Sequence, residues 1–253
     1  MCIIAFSINE HPDYPLIMAA NRDEFYERPT EYAHWWDGQQ VLAGKDLKGG
    51  GTWLGITKTG KVAAVTNYRD PKNIREDAKT RGNLTTNFLI HDDEDIEGYL
   101  KQLNAEGGDY NGFNLLLFKG NQGFHLSNYE GKINHLAVGS HVLSNSLLNT
   151  PWPKAVRLKS NFDQVIKSEF SHESLLNILQ DDVLAQDDQL PDTGIPYEWE
   201  KAISSICIRK DGYGTCCSTI ITIDKAGKVE FTEQSYPVGA RTNKVVKESF
   251  QLQ

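Results

Sequence analysis

The chain opens on an apolar run, Cys2-Ile3-Ile4-Ala5-Phe6, which continues to Ile8. Its β-branched content and length predict a buried strand. The turn-forming stretch Asn9-Glu10-His11-Pro12-Asp13 separates it from a second apolar run, Leu16-Ile17-Met18-Ala19-Ala20. The two predict an antiparallel pair joined by a loop of several residues. A clearer hairpin follows. Thr52 to Thr57 and Lys61 to Thr66 are divided only by Lys58-Thr59-Gly60, where glycine can take positive φ. The pattern then changes period. Thr80 can cap a helix running through Leu84, Phe88 and Leu89, and Asp95 to Leu103 repeats apolar residues at spacings of three and four.

Strand patterns return at Phe113 to Phe118, Gly123 to Leu126 and His141 to Leu143. Pro153 opens a helix with Ala155, Leu158, Phe162 and Ile166 on one face, and His172 to Gln180 predicts another. Ser204 to Ile208, Ser218 to Ile223 and Val229 to Thr232 read as strands, the last two joined at Lys225-Ala226-Gly227. Asp181 to Pro196 carries acidic and Pro/Gly punctuation and reads as an exposed loop. The order of strands, helices, then strands predicts an α+β fold with largely antiparallel sheets, in a single domain over residues 1–253.

Composition narrows the function classes. The 253 residues include 26 basic and 34 acidic side chains, a formal charge of −8, which argues against nucleic acid as the main partner. A local basic pocket for a small anion remains open, because Arg22, Arg69, Arg75 and Arg81 fall in the first third. Four cysteines, Cys2, Cys207, Cys216 and Cys217, are too few for a disulfide scaffold and imply a reducing compartment. Adjacent Cys216 and Cys217 are expected on opposite faces of a strand. No Cys-x-x-Cys pair or histidine spacing suggests zinc, so neither metal nor cofactor is expected. No apolar run approaches the ~20 residues that span a bilayer, and the first residues lack a signal-peptide pattern. The expectation is a soluble cytoplasmic protein.

Cys2 is the sharpest chemical feature. It follows the initiator methionine and is small enough for Met1 to be removed. One residue would then hold a thiol and a free α-amine, whose reference pKa of about 7.7–8.0 suits it to take the thiol proton. The same pairing activates N-terminal threonine nucleophiles. Asn21-Arg22-Asp23-Glu24 follows the second apolar run and can lie beside Cys2 if the first two strands pair. Asp23 could then hold the α-amino group, and Arg22 could favour the thiolate. Asn67 and Asn145 also sit at the ends of apolar runs and can donate to an oxyanion. Catalytic candidates are therefore Cys2, Arg22, Asp23, Asn67 and Asn145. Candidate substrate contacts are Asn21, Trp53, Tyr68, Arg69 and Arg81. Lys48-Gly49-Gly50-Gly51-Thr52-Trp53 lacks the Gly-Lys-Ser/Thr ending of a phosphate loop and leads into a strand, so it reads as a flexible rim loop.

Ala20-Asn21-Arg22-Asp23-Glu24 behind Met1-Cys2 resembles the NRDE family, homologues of the transport and Golgi organisation protein two. Gly50-Gly51-Thr52-Trp53-Leu54-Gly55, Thr66-Asn67-Tyr68-Arg69, Thr80-Arg81-Gly82, Leu143-Ser144-Asn145, Thr150-Pro151-Trp152-Pro153-Lys154 and Tyr213-Gly214-Thr215 extend that resemblance in order along the chain. Where the family commonly carries arginine after Tyr-Gly-Thr, this chain has Cys216. The resemblance implies an N-terminal-nucleophile (Ntn) hydrolase fold, a four-layer αββα sandwich of two stacked sheets covered by helices. Its cysteine branch cleaves nonpeptide C–N amide bonds. The family's eukaryotic members are linked to secretory organisation, mitochondrial lipid metabolism and haem trafficking. Two functions follow as expectations. One is an amide hydrolase with Cys2 as nucleophile, acting on a small-molecule substrate. The other is a non-catalytic carrier holding a hydrophobic anionic ligand such as haem or acyl-CoA. A glutamine amidotransferase fits less well, since those enzymes usually have glycine where Ile3 stands.

Overall fold

The structure is a computed structural model and describes residues 2–38, 40–91 and 95–253. In chain order its strands are β1 (Cys2–Ile8), β2 (Leu16–Phe25), β3 (Thr30–Trp35), β4 (Val41–Asp46), β5 (Leu54–Thr57), β6 (Val62–Asn67), β7 (Phe113–Lys119), β8 (Gln122–Ser127), β9 (Lys132–His135), β10 (Gly139–Leu143), β11 (Arg209–Lys210), β12 (Tyr213–Ile223), β13 (Lys228–Ser235) and β14 (Lys244–Gln251). The α-helices are α1 (Gly82–Ile90), α2 (Ile96–Ala105), α3 (Pro153–Ile166), α4 (His172–Leu179) and α5 (Tyr197–Ala202). The chain forms two compact units. One joins the residues up to Glu27 with Val138–Ser249; the other joins Arg28–Ala137 with Phe250–Gln253.

The first unit is built on a sheet ordered β10-β1-β2-β12-β13-β14, with β11 paired to β12. The expected pairing of the first two runs is present, with Cys2 opposite Arg22 and Ile8 opposite Leu16. Every residue of β1 is buried, as its unbroken apolar run required. Ile3, Ala5, Ile17, Ala19 and Ile220 pack against Ala155, Leu158, Phe162 and Ile166 of α3 and Leu175, Leu176 and Leu179 of α4. Both helices begin as their sequences dictate. Pro153 stands in the first turn of α3, and Ser171 caps α4 in a reciprocal capping box with Ser174.

The second unit is a seven-stranded antiparallel sheet ordered β3-β4-β5-β6-β7-β8-β9. The anticipated hairpin is β5-β6, with Gly60 at φ +81° in its turn. Ala63, Val65, Leu115 and Leu117 pack against Leu84, Phe88 and Leu89 of α1 and Tyr99, Leu100 and Leu103 of α2.

Four local expectations are corrected. Asn21 to Glu24 do not merely follow the second strand but continue β2, because β12 pairs with them from Gly214 to Ser218. Ser204 to Ile208 is not a strand. It is a buried irregular segment: Asn21 Nδ2 donates to Ile206 O, Ile208 N donates to Thr215 Oγ1, and Ile208 O accepts the Thr215 backbone N–H. Cys216 and Cys217 do not simply alternate, since the register between β12 and β2 shifts between Thr215 and Cys217 and leaves Cys216 in the irregularity. The triple-glycine stretch is a built turn, not a flexible rim. Asp46 Oδ1 accepts the N–H groups of Lys48 and Gly49 at 3.0 and 2.8 Å. A Cβ on Gly51 would lie 2.7 Å from the Gly82 carbonyl at the start of α1.

Candidate functional site

Antiparallel register places Cys2 opposite Arg22 on β2, and Arg22 opposite Cys217 on β12. Directly opposed residues project to the same face of a sheet. Ile3 and Ala5 face α3 and α4, so alternation puts Cys2, Arg22 and Cys217 on the other face. Asn145 follows the last pair of β10, Leu143 with Ile4. Continuing that register by two residues brings Asn145 opposite Cys2, and Asn145 is fully buried. Four of the five catalytic candidates are thus neighbours around the start of β1: Cys2, Arg22, Asp23 and Asn145.

Cys2 is 7% exposed. Burial is the largest influence on its thiol and pushes it up to about 11; the Asp23 carboxylate adds to the rise. The Arg22 guanidinium and a hydrogen bond from the Asp23 backbone N–H act the other way. Arg22 therefore works in the expected direction, but desolvation outweighs it. Removal of Met1 concerns a residue outside those described.

Asp23 is 1% exposed. Burial pushes its carboxyl up, and the ammonium of Lys154 is the strongest influence holding it down. Its Oδ1 accepts the Thr215 hydroxyl at 2.7 Å, and Thr215 Oγ1 in turn accepts the Ile208 N–H at 2.9 Å. The Tyr213 hydroxyl donates to the Asp23 carbonyl at 3.3 Å. Arg22 lies 3.7 Å from the Glu24 carboxylate.

Asn21 does not fit the role of a substrate contact. Its amide nitrogen donates to the carbonyls of Leu179 and Ile206 at 2.8 and 3.0 Å, and its oxygen accepts the Ser218 hydroxyl at 2.5 Å. It clamps β2 to the end of α4 and to the irregular segment. The remaining candidates belong to the second unit. Asn67 ends β6 opposite Phe113. Tyr68 and Arg81 meet at one acceptor, the Gly112 carbonyl, with N···O distances of 2.9 and 3.1 Å. The Tyr68 ring stacks on Tyr129 at 3.9 Å. Arg69 follows Tyr68 in the chain, and Trp53 packs against the unit's core.

Sequence reasoning missed Lys154 and Thr215. Lys154 is 3% exposed, and its Nζ donates to the Ile203 carbonyl at 3.0 Å. The signal for it was present. Lys154 stands four residues before Leu158 on the apolar stripe of α3, in a first turn where the helix dipole disfavours a cation. A buried lysine there needs a partner.

Two antiparallel sheets, each with helices packed on one face, and a cysteine at the start of the first strand define an α+β architecture of the Ntn-hydrolase kind. One solved structure shares the fold. The C2A mutant of conjugated bile acid hydrolase from Clostridium perfringens superposes with a TM-score of 0.52 over 99% of this chain and 92% of that one, at 9% identity. The chain matches the Transport and Golgi organisation 2 family profile over residues 1–237 and belongs to that family. The Transport and Golgi organization protein 2 homolog of Bos taurus is 39% identical over 265 residues, covering 93% of each chain. The Homo sapiens homolog is 38% identical over 268 residues with the same coverage. Among the described residues, no helix is long and apolar enough to cross a membrane.

Proposed function

We propose that this protein hydrolyses a nonpeptide C–N amide bond of a small molecule, with Cys2 as nucleophile once Met1 is removed. The observation that carries this reading is the register that sets Cys2 against Arg22, with the Asp23 N–H directed at its thiol. A buried thiol pushed up to about 11 keeps its proton at rest, so a base must stand beside it. The α-amine of Cys2 is the base proposed. It takes the thiol proton as sulfur attacks the amide carbonyl, giving a tetrahedral oxyanion. Asn145, from the neighbouring strand end, is the oxyanion donor proposed within the same unit; Asn67 is proposed on the family resemblance alone. The C–N bond then breaks, and the departing nitrogen takes the proton from the α-ammonium. Water cleaves the resulting thioester, releasing the acid and restoring the thiol. Arg22 moderates the burial cost of the thiolate, and Asp23 holds the α-ammonium.

A second reading has its own support. The near-complete burial of Cys2 and its raised thiol also suit a structural cysteine in a non-catalytic carrier of a hydrophobic anion such as haem or an acyl-CoA. A panel of acyl amides incubated with Met1-free protein and with Cys2→Ala separates the two. Hydrolysis by wild type that disappears in Cys2→Ala supports the hydrolase. No turnover, with equal haem or acyl-CoA binding by both proteins, supports the carrier.

A further inference from the structure

Tyr213-Gly214-Thr215, a motif that takes no part in the mechanism above, lies alongside Asp23. Strand β12 places Thr215 directly opposite Asp23 on β2, and Tyr213 opposite Phe25. The Thr215 hydroxyl donates to Asp23 Oδ1 at 2.7 Å and accepts the Ile208 N–H at 2.9 Å. A hydroxyl has one proton to give, and here it is aimed at the carboxyl while Ile208 fills an acceptor direction. Thr215 is itself fixed, because its backbone N–H returns to the Ile208 carbonyl at 2.9 Å. Tyr213 grips the same aspartate at its backbone. Its hydroxyl donates to the Asp23 carbonyl at 3.3 Å, and its ring meets Phe25 edge-on at 5.0 Å. Gly214 stands between the two, where a Cβ would lie 2.3 Å from the Ile208 carbonyl and close off this approach.

One strand thus holds Asp23 at its carboxyl and at its carbonyl, while Arg22, the residue before it, stands opposite Cys2. Cys2, Asp23, Tyr213 and Thr215 are all buried, so bulk water does not compete for these bonds. We propose that Tyr213-Gly214-Thr215 is a clamp that sets Asp23 against Cys2, with Thr215 as its positioning residue. The purpose of the clamp rests on the hydrolase reading, in which Asp23 faces the α-amine of Cys2. Thr215 acts through Asp23 and takes no part in the chemistry.

Thr215→Val removes the hydroxyl and keeps the shape; Thr215→Ser restores the hydroxyl. The readout is the rate of Cys2 alkylation by iodoacetamide from about pH 7 to 10, followed by peptide mapping of the natively processed protein. A slackened Asp23 supports the thiolate less through its N–H. Thr215→Val should therefore label about two- to tenfold more slowly, and Thr215→Ser at the wild-type rate. Tyr213→Phe, which keeps the ring, should also slow labelling. On an Asp23→Ala background Thr215→Val should change nothing further, because the side chain it acts through is gone. A merely structural threonine would lower the melting temperature and leave the alkylation profile of the folded protein as it was. An unchanged or faster rate in Thr215→Val, or a further slowing on the Asp23→Ala background, overturns the proposal. If Thr215→Val does not fold, Tyr213→Phe decides, and unchanged labelling in that variant overturns the clamp. Alkylation needs no substrate, so the clamp can fail while amide hydrolysis stands, or hold where hydrolysis is absent.

Discussion

Burial opposes charge on both Cys2 and Asp23, and their neighbours decide how far it succeeds. Burial wins at both: the thiol is pushed up to about 11, and the Asp23 carboxyl is raised above its ordinary value although Lys154 and the Thr215 hydroxyl act against the rise. Asp23→Asn should therefore leave the fold intact and cut turnover of any amide substrate by roughly tenfold to a hundredfold. That is the effect of losing a charge-assisted bond of about 1.5–3 kcal/mol if it is felt only in the transition state. Unchanged turnover at an unchanged melting temperature would remove Asp23 from the mechanism. A second titration belongs to the other unit. His125 is fully buried, its Nε2 lies 3.3 Å from Asn114 Oδ1, and burial lowers its pKa to about 4. The folded state thus holds neutral imidazole while the unfolded chain protonates near pH 6.5. Stability from this residue is complete above about pH 6.5 and is lost as pH falls to about 4, by up to about 3 kcal/mol. His125→Gln should flatten the fall in chemical-denaturation stability across that window. An unaltered slope would show that His125 does not set it. At this scale the sequence pointed to Cys2 because it follows Met1, and to Arg22, Asp23 and Asn145 because polar residues at the ends of apolar runs are conspicuous. Lys154 was hidden because a lysine on a helix is ordinarily solvated, and only its place on the apolar stripe marked it.

At the scale of elements, Gly214 shows why β12 begins with Tyr213-Gly214-Thr215. A Cβ there would lie 2.3 Å from the Ile208 carbonyl and 2.4 Å from the Tyr26 hydroxyl. Only glycine lets the irregular segment approach β12 closely enough for Thr215 to bond both Ile208 and Asp23. Gly214→Ala should lower stability by about 1–3 kcal/mol through overpacking. It should also speed hydrogen exchange at the Ile208 amide, measured against the amides of β13. Wild-type protection at Ile208 would show that the segment does not depend on this approach. The same segment explains a misreading. Ser204 to Ile208 has the apolar content of a strand, but its backbone groups are met by Asn21, Asp181 and Thr215 in separate, irregular contacts, which no local pattern reveals. The strands that escaped notice are β3, β4, β9, β11 and β14. β3, β9 and β14 are short or half-exposed and mix charged with apolar positions, as in Lys244-Val245-Val246-Lys247-Glu248. The buried hairpins were legible because period, glycine turn and β-branching agreed.

At the scale of the whole molecule, periodicity alone yielded an α+β class with antiparallel sheets. The motifs spread along the chain carried it further, to the family and the Ntn-type fold, which the family profile and the bile acid hydrolase likeness support independently. Chemistry is less legible than fold at this scale, because one architecture can hold a nucleophile or merely a pocket. The two readings differ in what happens at Cys2. The most direct test is the intact mass of the purified, natively processed protein, before and during exposure to acyl amides quenched in acid. The proposed mechanism predicts a chain lacking Met1 and, in the quenched samples, an added acyl mass that maps to the Cys2 peptide and is absent from Cys2→Ala. A retained Met1 in a protein that hydrolyses amides, or hydrolysis undiminished in Cys2→Ala, would contradict it.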